Sequence, residues 1–225
     1  EFGADFSVMG GLATVEATLY QQSIEDLILL VDEAPSSGAS NSWQNGGEME
    51  TNGLELALGL NPTSLIDLGG LDWNMHMTYY TNESEVTKLT VDPYNYGGFA
   101  TFLGTYRIEE GWSPTAIVGA DYDADGNHIE LGNENPDFRL SFRNSLSFGP
   151  LSLSFLIDHK EGGHAINLAN LIYDLGATTA DYEENGSRTA VLGGGSTAPY
   201  VESTTYTALR DLSLTYSLLA GLTEG

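Results

Sequence analysis

The sequence predicts an all-β protein, an antiparallel segment of a transmembrane β-barrel. Three observations predict it. Apolar and polar residues alternate with period two along several stretches. The links between those stretches tend to alternate short and long. The composition, with 27 Gly and 12 Tyr in 225 residues, suits strands and turns better than long helices.

Strands are expected at 1–8, 11–32, 47–60, 71–89, 136–148, 151–160 and 201–218. In the second, Ala13, Val15, Ala17 and Leu19 alternate with Thr14, Glu16, Thr18 and Tyr20. The run Asp26-Leu27-Ile28-Leu29-Leu30-Val31 breaks this pattern. It reads as a strand covered on both faces or as one with a bulge that shifts register, continuing past the membrane. In the third, Leu54, Leu56, Leu58 and Leu60 alternate with Glu55, Ala57 and Gly59. The fourth sets Leu71, Trp73, Met75, Met77 and Tyr79 against Asp72, Asn74, His76, Thr78 and Tyr80. Phe138, Leu140 and Phe142 alternate with Arg139, Ser141 and Arg143 in the fifth. In the sixth, Leu151, Leu153, Phe155 and Ile157 alternate with Ser152, Ser154 and Asp158, Leu156 being the exception; in the seventh, Leu212, Leu214, Tyr216 and Leu218 alternate with Asp211, Ser213, Thr215 and Ser217.

Neighbouring side chains of a strand point to opposite faces, so each strand has an apolar and a polar face. In a membrane barrel the polar face lines the lumen. Glu16, Glu55, Asp72, His76, Arg139 and Arg143 are therefore the candidate lumen-facing or substrate-path residues. Trp73, Tyr79, Phe138, Phe148 and Tyr216 fall on apolar faces, and those near strand ends suit an interfacial girdle. Met9-Gly10-Gly11 and Gly149-Pro150 are tight turns, and 61–70 is a modest connection through Asn61-Pro62. The links at 33–46, 90–135 and 161–200 are longer. Short turns at one end and long loops at the other characterise outer-membrane barrels. Alternation alone also admits a secreted or surface β-sandwich that binds carbohydrate, or a β-solenoid.

The chain has no Cys, which excludes disulfides, thiolate zinc sites and a Cys nucleophile. Its 32 acidic residues against 7 basic ones give a net charge of -25, which repels nucleic acid. No apolar run reaches the length of a transmembrane helix, a criterion that barrel strands escape. Asp121-Tyr122-Asp123-Ala124-Asp125-Gly126 has the alternating oxygen ligands and sharp-turn Gly of a calcium loop, although Gly132 occupies the twelfth position, where a bidentate Glu is wanted. Asp121, Asp123 and Asp125 are thus candidate calcium ligands, against the alternative of a solvated acidic turn.

No catalytic constellation is expected. The carboxylates lack a glycosidase context. His76, His128, His159 and His164 lack metal-ligand spacing, and His76 also reads as an ordinary polar wall residue. Gly193-Gly194-Gly195 lacks the Lys of a phosphate loop, and no Gly-x-Ser-x-Gly occurs. In the long 90–135 loop, Tyr94, Tyr96, Phe99, Phe102, Tyr106 and Trp112 either stack on a sugar or pack the loop against itself.

Several segments together resemble one family. Glu1-Phe2-Gly3-Ala4-Asp5, Leu12 to Tyr20 with Asp26-Leu27-Ile28, Asn45 to Glu55, and Leu71-Asp72-Trp73 with Tyr79 to Val86 are similar, in order, to strands of the SusC/RagA-type TonB-dependent transporters. Glu110-Gly111-Trp112-Ser113-Pro114, Gly132 to Phe138, Gly162 to Leu168 and Leu209 to Tyr216 continue the series. The resemblance implies one β-barrel domain over 1–225, incomplete at both ends and ending Ala220 to Gly225 without the family's terminal aromatic. The plug and the TonB-contacting segment are not recognisable in it. It further implies the cell outer membrane with its lipid, short periplasmic turns and long extracellular loops. The expected partners are the TonB complex and a SusD-like lipoprotein. The implied substrate is a glycan, oligosaccharide or peptide, and no cofactor beyond a calcium ion in an extracellular loop is expected.

Overall fold

A computed structural model describes residues 1–98, 100–184, 186, 188 and 195–218. Phe99, Gly193, Gly194 and the terminal stretch 219–225 lie outside the described residues.

Seven long antiparallel strands form one sheet. They are β1 (Phe2–Val8), β2 (Ala13–Asp32), β3 (Asn41–Leu60), β4 (Leu71–Leu89), β9 (Pro136–Phe148), β10 (Leu151–Gly162) and β13 (Tyr206–Tyr216), adjacent in that order. The loop between β4 and β9 holds a four-stranded sheet of β5 (Tyr94–Tyr96), β6 (Thr105–Ile108), β7 (Ala116–Val118) and β8 (Gly132–Asn133). The loop after β10 holds β11 (His164–Ile166), the helices α1 (Leu168–Leu175) and α2 (Ala180–Glu183), and β12 (Val201–Ser203), which pairs with β11. The large sheet is a plain meander: each strand neighbours the next long strand in sequence, and it is not closed. Among the described residues no second sheet covers its apolar face, as a sandwich would require, and Leu19, Phe148, Leu212 and Leu214 on that face are exposed.

The register joins the strand faces into two continuous surfaces. Residues directly opposite across a ladder share a face. One row runs Asp5–Glu16–Ala57–Thr78–Ser141–Asp158–Ala208 and another runs Thr18–Glu55–Tyr80–Arg139–Lys160–Tyr206. On the opposite face, Val15–Leu58–Met77–Phe142–Ile157–Leu209 and Trp73–Leu146–Leu153–Leu214 line up. A bulge between Leu156 and Ile157, opposite Arg210, keeps the apolar residues of β13 on that second face. The expected exception, Leu156, lies on the polar face opposite Arg143.

One apolar residue is replaced by an amide. Asn144 lies opposite Met75 and Phe155, is 5% exposed, and accepts a 3.2 Å hydrogen bond from the Trp73 indole. A buried amide within an apolar band needs such a partner.

The structure differs from the sequence reading in three places. β3 begins at Asn41, so the link after β2 is short and the hairpin itself is long. Glu33 N–H bonds Ser40 O, and the Glu33 carboxylate accepts from Ser42 and Gln44, which carries pairing to the tip. The expected strand 201–218 is two elements, because β12 belongs to the loop sheet while β13 pairs with β10. The long loops are folded modules with a buried core of their own, including Ala116, Ile117, Val118, Leu171 and Tyr200. The anticipated register shift lies between Ile24 and Leu27, with Asp26 at φ +56°, and β2 continues beyond it.

Candidate functional site: the polar wall and its loop cap

The candidate wall residues occupy one surface. Glu16 lies opposite Ala57, Glu55 opposite Thr18 and Tyr80, Asp72 opposite Ser147, His76 opposite Arg143, and Arg139 opposite Tyr80. A groove of about 360 Å³ brings Glu16 and Glu55 together with Tyr20, Thr78 and Tyr80. Asp72 lies nearer the turn end, where it accepts hydrogen bonds from Thr63 and Asn74.

Charge is distributed unevenly across this face. Asp5, Glu16 and Glu55 make β1–β3 acidic. Four of the chain's 7 basic residues, Arg139, Arg143, Lys160 and Arg210, lie across β9, β10 and β13. Arg210 pairs with Asp158 at 3.1 Å and lies 4.9 Å from the Tyr206 ring centre. Arg139 Nε is buried without a hydrogen-bond partner. The wall thus offers carboxylates on one flank and guanidinium groups on the other.

Above the wall, the two folded loops are fastened to each other. Asp121 accepts from Ser196 Oγ at 2.5 Å and from Thr197 N at 2.8 Å. The fully buried Thr197 hydroxyl donates to Phe102 O at 3.0 Å and accepts from Ala120 N at 2.9 Å. Gly119 permits this approach, since a Cβ there would collide with the Thr197 side chain. Beneath, Asp174 is almost fully buried and takes two bonds from Arg188, at 2.5 and 3.0 Å, plus one from the Tyr200 hydroxyl at 2.8 Å. Thr179 donates a further bond to it. The Arg188 guanidinium, opposed by burial but helped by the two hydroxyls, holds the Asp174 carboxyl well below the usual carboxylate range. Burial, reinforced by that carboxylate, pushes the Tyr200 phenol up to about 12.

The three candidate calcium ligands have separate surroundings. Asp121 faces the neighbouring loop as described. Asp123 caps its own turn, accepting from the backbone of Asp125 and Asn127 at 2.9 and 2.8 Å and from the Asn127 amide at 3.1 Å. Those bonds, the Asn127 side chain first, lower the Asp123 pKa. Asp125 is exposed. Among the described residues no three His, Asp or Glu side chains come together as a metal-binding group.

The loop aromatics divide. Tyr96 stacks obliquely on Tyr106 with ring centres 5.4 Å apart and donates to Pro114 O at 2.8 Å. Tyr106 donates to Glu134, and burial together with that bond pushes its phenol up to about 12. Tyr94 is paired opposite Ile108 in the same small sheet. Trp112 stands apart, in a cleft between the top of β4 and the start of β9. Sequence reasoning missed the Asp174–Arg188–Tyr200 cluster, whose members are far apart along the chain. It also missed Asn82, Asn133 and Asn135, which line the Trp112 cleft. The density of Asn around Gly132 was the available signal for Asn133 and Asn135.

The family described as "TonB dependent receptor-like, beta-barrel" matches residues 1–223. The TonB-dependent receptor P3 of Formosa agariphila is 23% identical over 270 aligned residues, covering 97% of this chain and 26% of that protein. The structure of the RagAB peptide importer in its closed-closed state superposes with a TM-score of 0.69 at 19% identity, over 99% of this chain and 29% of that one. A second structure of the RagAB peptide transporter gives 0.68 at 18% identity, over 96% and 28%. The open-open state of the importer gives 0.60 at 19% identity, over 96% and 27%. The chain therefore spans little more than a quarter of the length of these relatives. The solved structures share its fold, and the family match extends over nearly all of it: this chain belongs to the TonB-dependent receptor-like β-barrel family.

Proposed function

We infer that this chain forms part of the barrel wall and the extracellular loops of an outer-membrane TonB-dependent transporter of the SusC/RagA type. The observation that carries the reading is the two-faced meander. Its apolar face, from the Leu71–Phe148–Leu151–Tyr216 row to the Tyr79–Leu140–His159 row, spans nine residues of β4, the length of a membrane-crossing strand. Its polar face supplies the carboxylates and guanidinium groups of a solvated lumen. The fastened loops stand at the end away from the tight turns, as extracellular loops do.

Glu16, Glu55, Asp72, His76, Arg139 and Arg143 are the proposed lining of the substrate path, with a glycan, oligosaccharide or peptide as cargo. The RagAB neighbours are peptide importers by name, which supports the peptide arm; a SusD-like surface lipoprotein is the partner that the SusC/RagA resemblance implies. Import energy would reach the barrel from the TonB complex through a plug domain. A calcium ion on the Asp121–Asp125 turn remains a proposal; calorimetry on the folded barrel without heat or stabilisation would end it.

The test is fractionation and uptake with the full-length protein in its native host. The protein should require detergent for extraction from outer membranes, and its deletion should abolish TonB-dependent growth on one nutrient. Recovery as a soluble protein would overturn the reading.

A further inference from the structure

The pairing of β4 with β9 ends at Tyr80–Arg139, and above that point the two strands part. The wedge between them is a cleft of about 440 Å³, within the range of small-molecule sites. Its lining combines one indole, three amides and four carboxylates. In the cleft, the amides of Asn82, Asn133 and Asn135 have no hydrogen-bond partner among the described residues, and neither has the Trp112 indole N–H. The carboxylates of Glu83, Glu85, Glu130 and Asp137, all exposed, face solvent at the same cleft. Free donors and acceptors therefore converge on one concavity.

Trp112 is held in place by its main chain. Val86 N–H donates to Trp112 O at 2.9 Å, and Gly111 N–H donates to Val86 O at 2.8 Å. Glu110 accepts from Leu89 N at 3.2 Å, which ties the same turn to β4 a second time. The turn that carries the indole is thus fixed without the indole N–H being used, and a pre-organised turn costs little entropy on binding.

We propose that this wedge is a carbohydrate subsite that takes a neutral oligosaccharide, with Trp112 stacking on a sugar face and the three Asn amides bonding its hydroxyls. The proposal rests on the transport reading above and narrows its cargo. Amides both donate and accept, which matches a hydroxyl, while the carboxylates accept from further hydroxyls. No Lys, Arg or His lines the cleft, so sulfated or uronate glycans are repelled. A cationic peptide would use the carboxylates but leave the amides and the aromatic face with little to do, so a neutral sugar fits more of the lining.

The test uses the full-length transporter purified in detergent. The probes are neutral hexasaccharides of glucan, mannan, xylan and galactan, an alginate hexasaccharide, and a lysine hexapeptide, measured by calorimetry at low and high salt. At least one neutral sugar should bind with an affinity that salt does not change, and alginate should not bind. Trp112→Ala should weaken the neutral sugar about tenfold, equivalent to about 1.4 kcal/mol, while Trp112→Phe keeps most of the affinity by retaining a ring. Heat-modifiable migration of each variant checks that the barrel is folded. Failure of every neutral sugar to bind overturns the proposal, as does equal affinity for wild type and Trp112→Ala. Salt-sensitive binding of the lysine peptide alone overturns it too, while an outer-membrane location would leave the transport reading standing.

Discussion

At the residue scale, Asp174 is the most demanding group in the described chain. A carboxylate with almost no solvent contact is tolerated only when its charge and lone pairs are met, and Arg188, Thr179 and Tyr200 meet them. Asp174→Ala would leave Arg188 and Tyr200 without their acceptor. It should cost about 3 kcal/mol of local stability in the loop module, read as faster amide exchange in 168–203 of the full-length protein while the long strands keep their protection. The pH dependence follows from the depressed Asp174 pKa. A carboxyl whose folded pKa is lowered contributes its stability in full above the unfolded value, ~3.9. That contribution is lost as pH falls through the folded value. Exchange in 168–203 should therefore be unaffected by this group between neutral and mildly acidic pH and should accelerate only below the unfolded value. Acceleration already near neutral pH would contradict the assignment.

At the element scale, the two long loops behave as one body because small residues admit close contacts between them. Gly119 lies against Thr197, and a Cβ at Gly104 would collide with Ile166. Gly119→Val should separate the loops while leaving the barrel strands intact, which limited proteolysis would show as new cleavage in 101–131 and 163–200. Thr197→Ala removes the hydroxyl bonds to Phe102 and Ala120 but keeps the backbone bond to Asp121, so it should produce the same cleavage more slowly. The elements were unevenly legible in the sequence. All seven long strands were readable because burial of one face imposes period two, and a slip of one residue would turn every apolar side chain towards the polar face. The start of β3 was missed because Asn41 to Gly46 lies beyond the apolar band, where no face needs to be apolar. The loop module was missed because its core comes from Ala116, Ile117, Val118, Leu171 and Tyr200, residues brought together by tertiary contact with no local period. The six wall residues were legible as a set, since parity alone puts them on one face. The cleft around Trp112 depends on where two strands diverge, which no alternation encodes.

At the scale of the whole molecule, the proposed transport role makes the sheet's apolar face a lipid side and its polar face an aqueous side. Met75 and Asn74 are neighbours in sequence on opposite faces of β4, near the middle of the apolar band. Met75→Arg places a charge against hydrocarbon and should cost about 2–4 kcal/mol. Asn74→Arg places the same charge on the polar face, opposite Ser145 and in the row that continues to Ser154, and should cost little. Urea unfolding of the full-length protein in micelles, followed by heat-modifiable migration, would separate the two. Equal losses would mean that the faces are not lipid and lumen, and the barrel reading would fail with them. The sheet's own outline argues the same way. β1 and β13 are its outer strands, and each leaves a row of backbone donors and acceptors without a strand beside it among the described residues. Water can satisfy such an edge, but hydrocarbon cannot, and each unmet group there costs several kcal/mol. In a membrane both edges must therefore be met by further strands. Residues 1–225 expressed alone should fail to become heat-modifiable or to insert into vesicles, whereas the full-length protein should do both. Stable insertion of the isolated stretch would require β1 and β13 to pair with each other or with a second copy, and cross-linking between cysteines placed at Ala4 and Leu212 would reveal that closure.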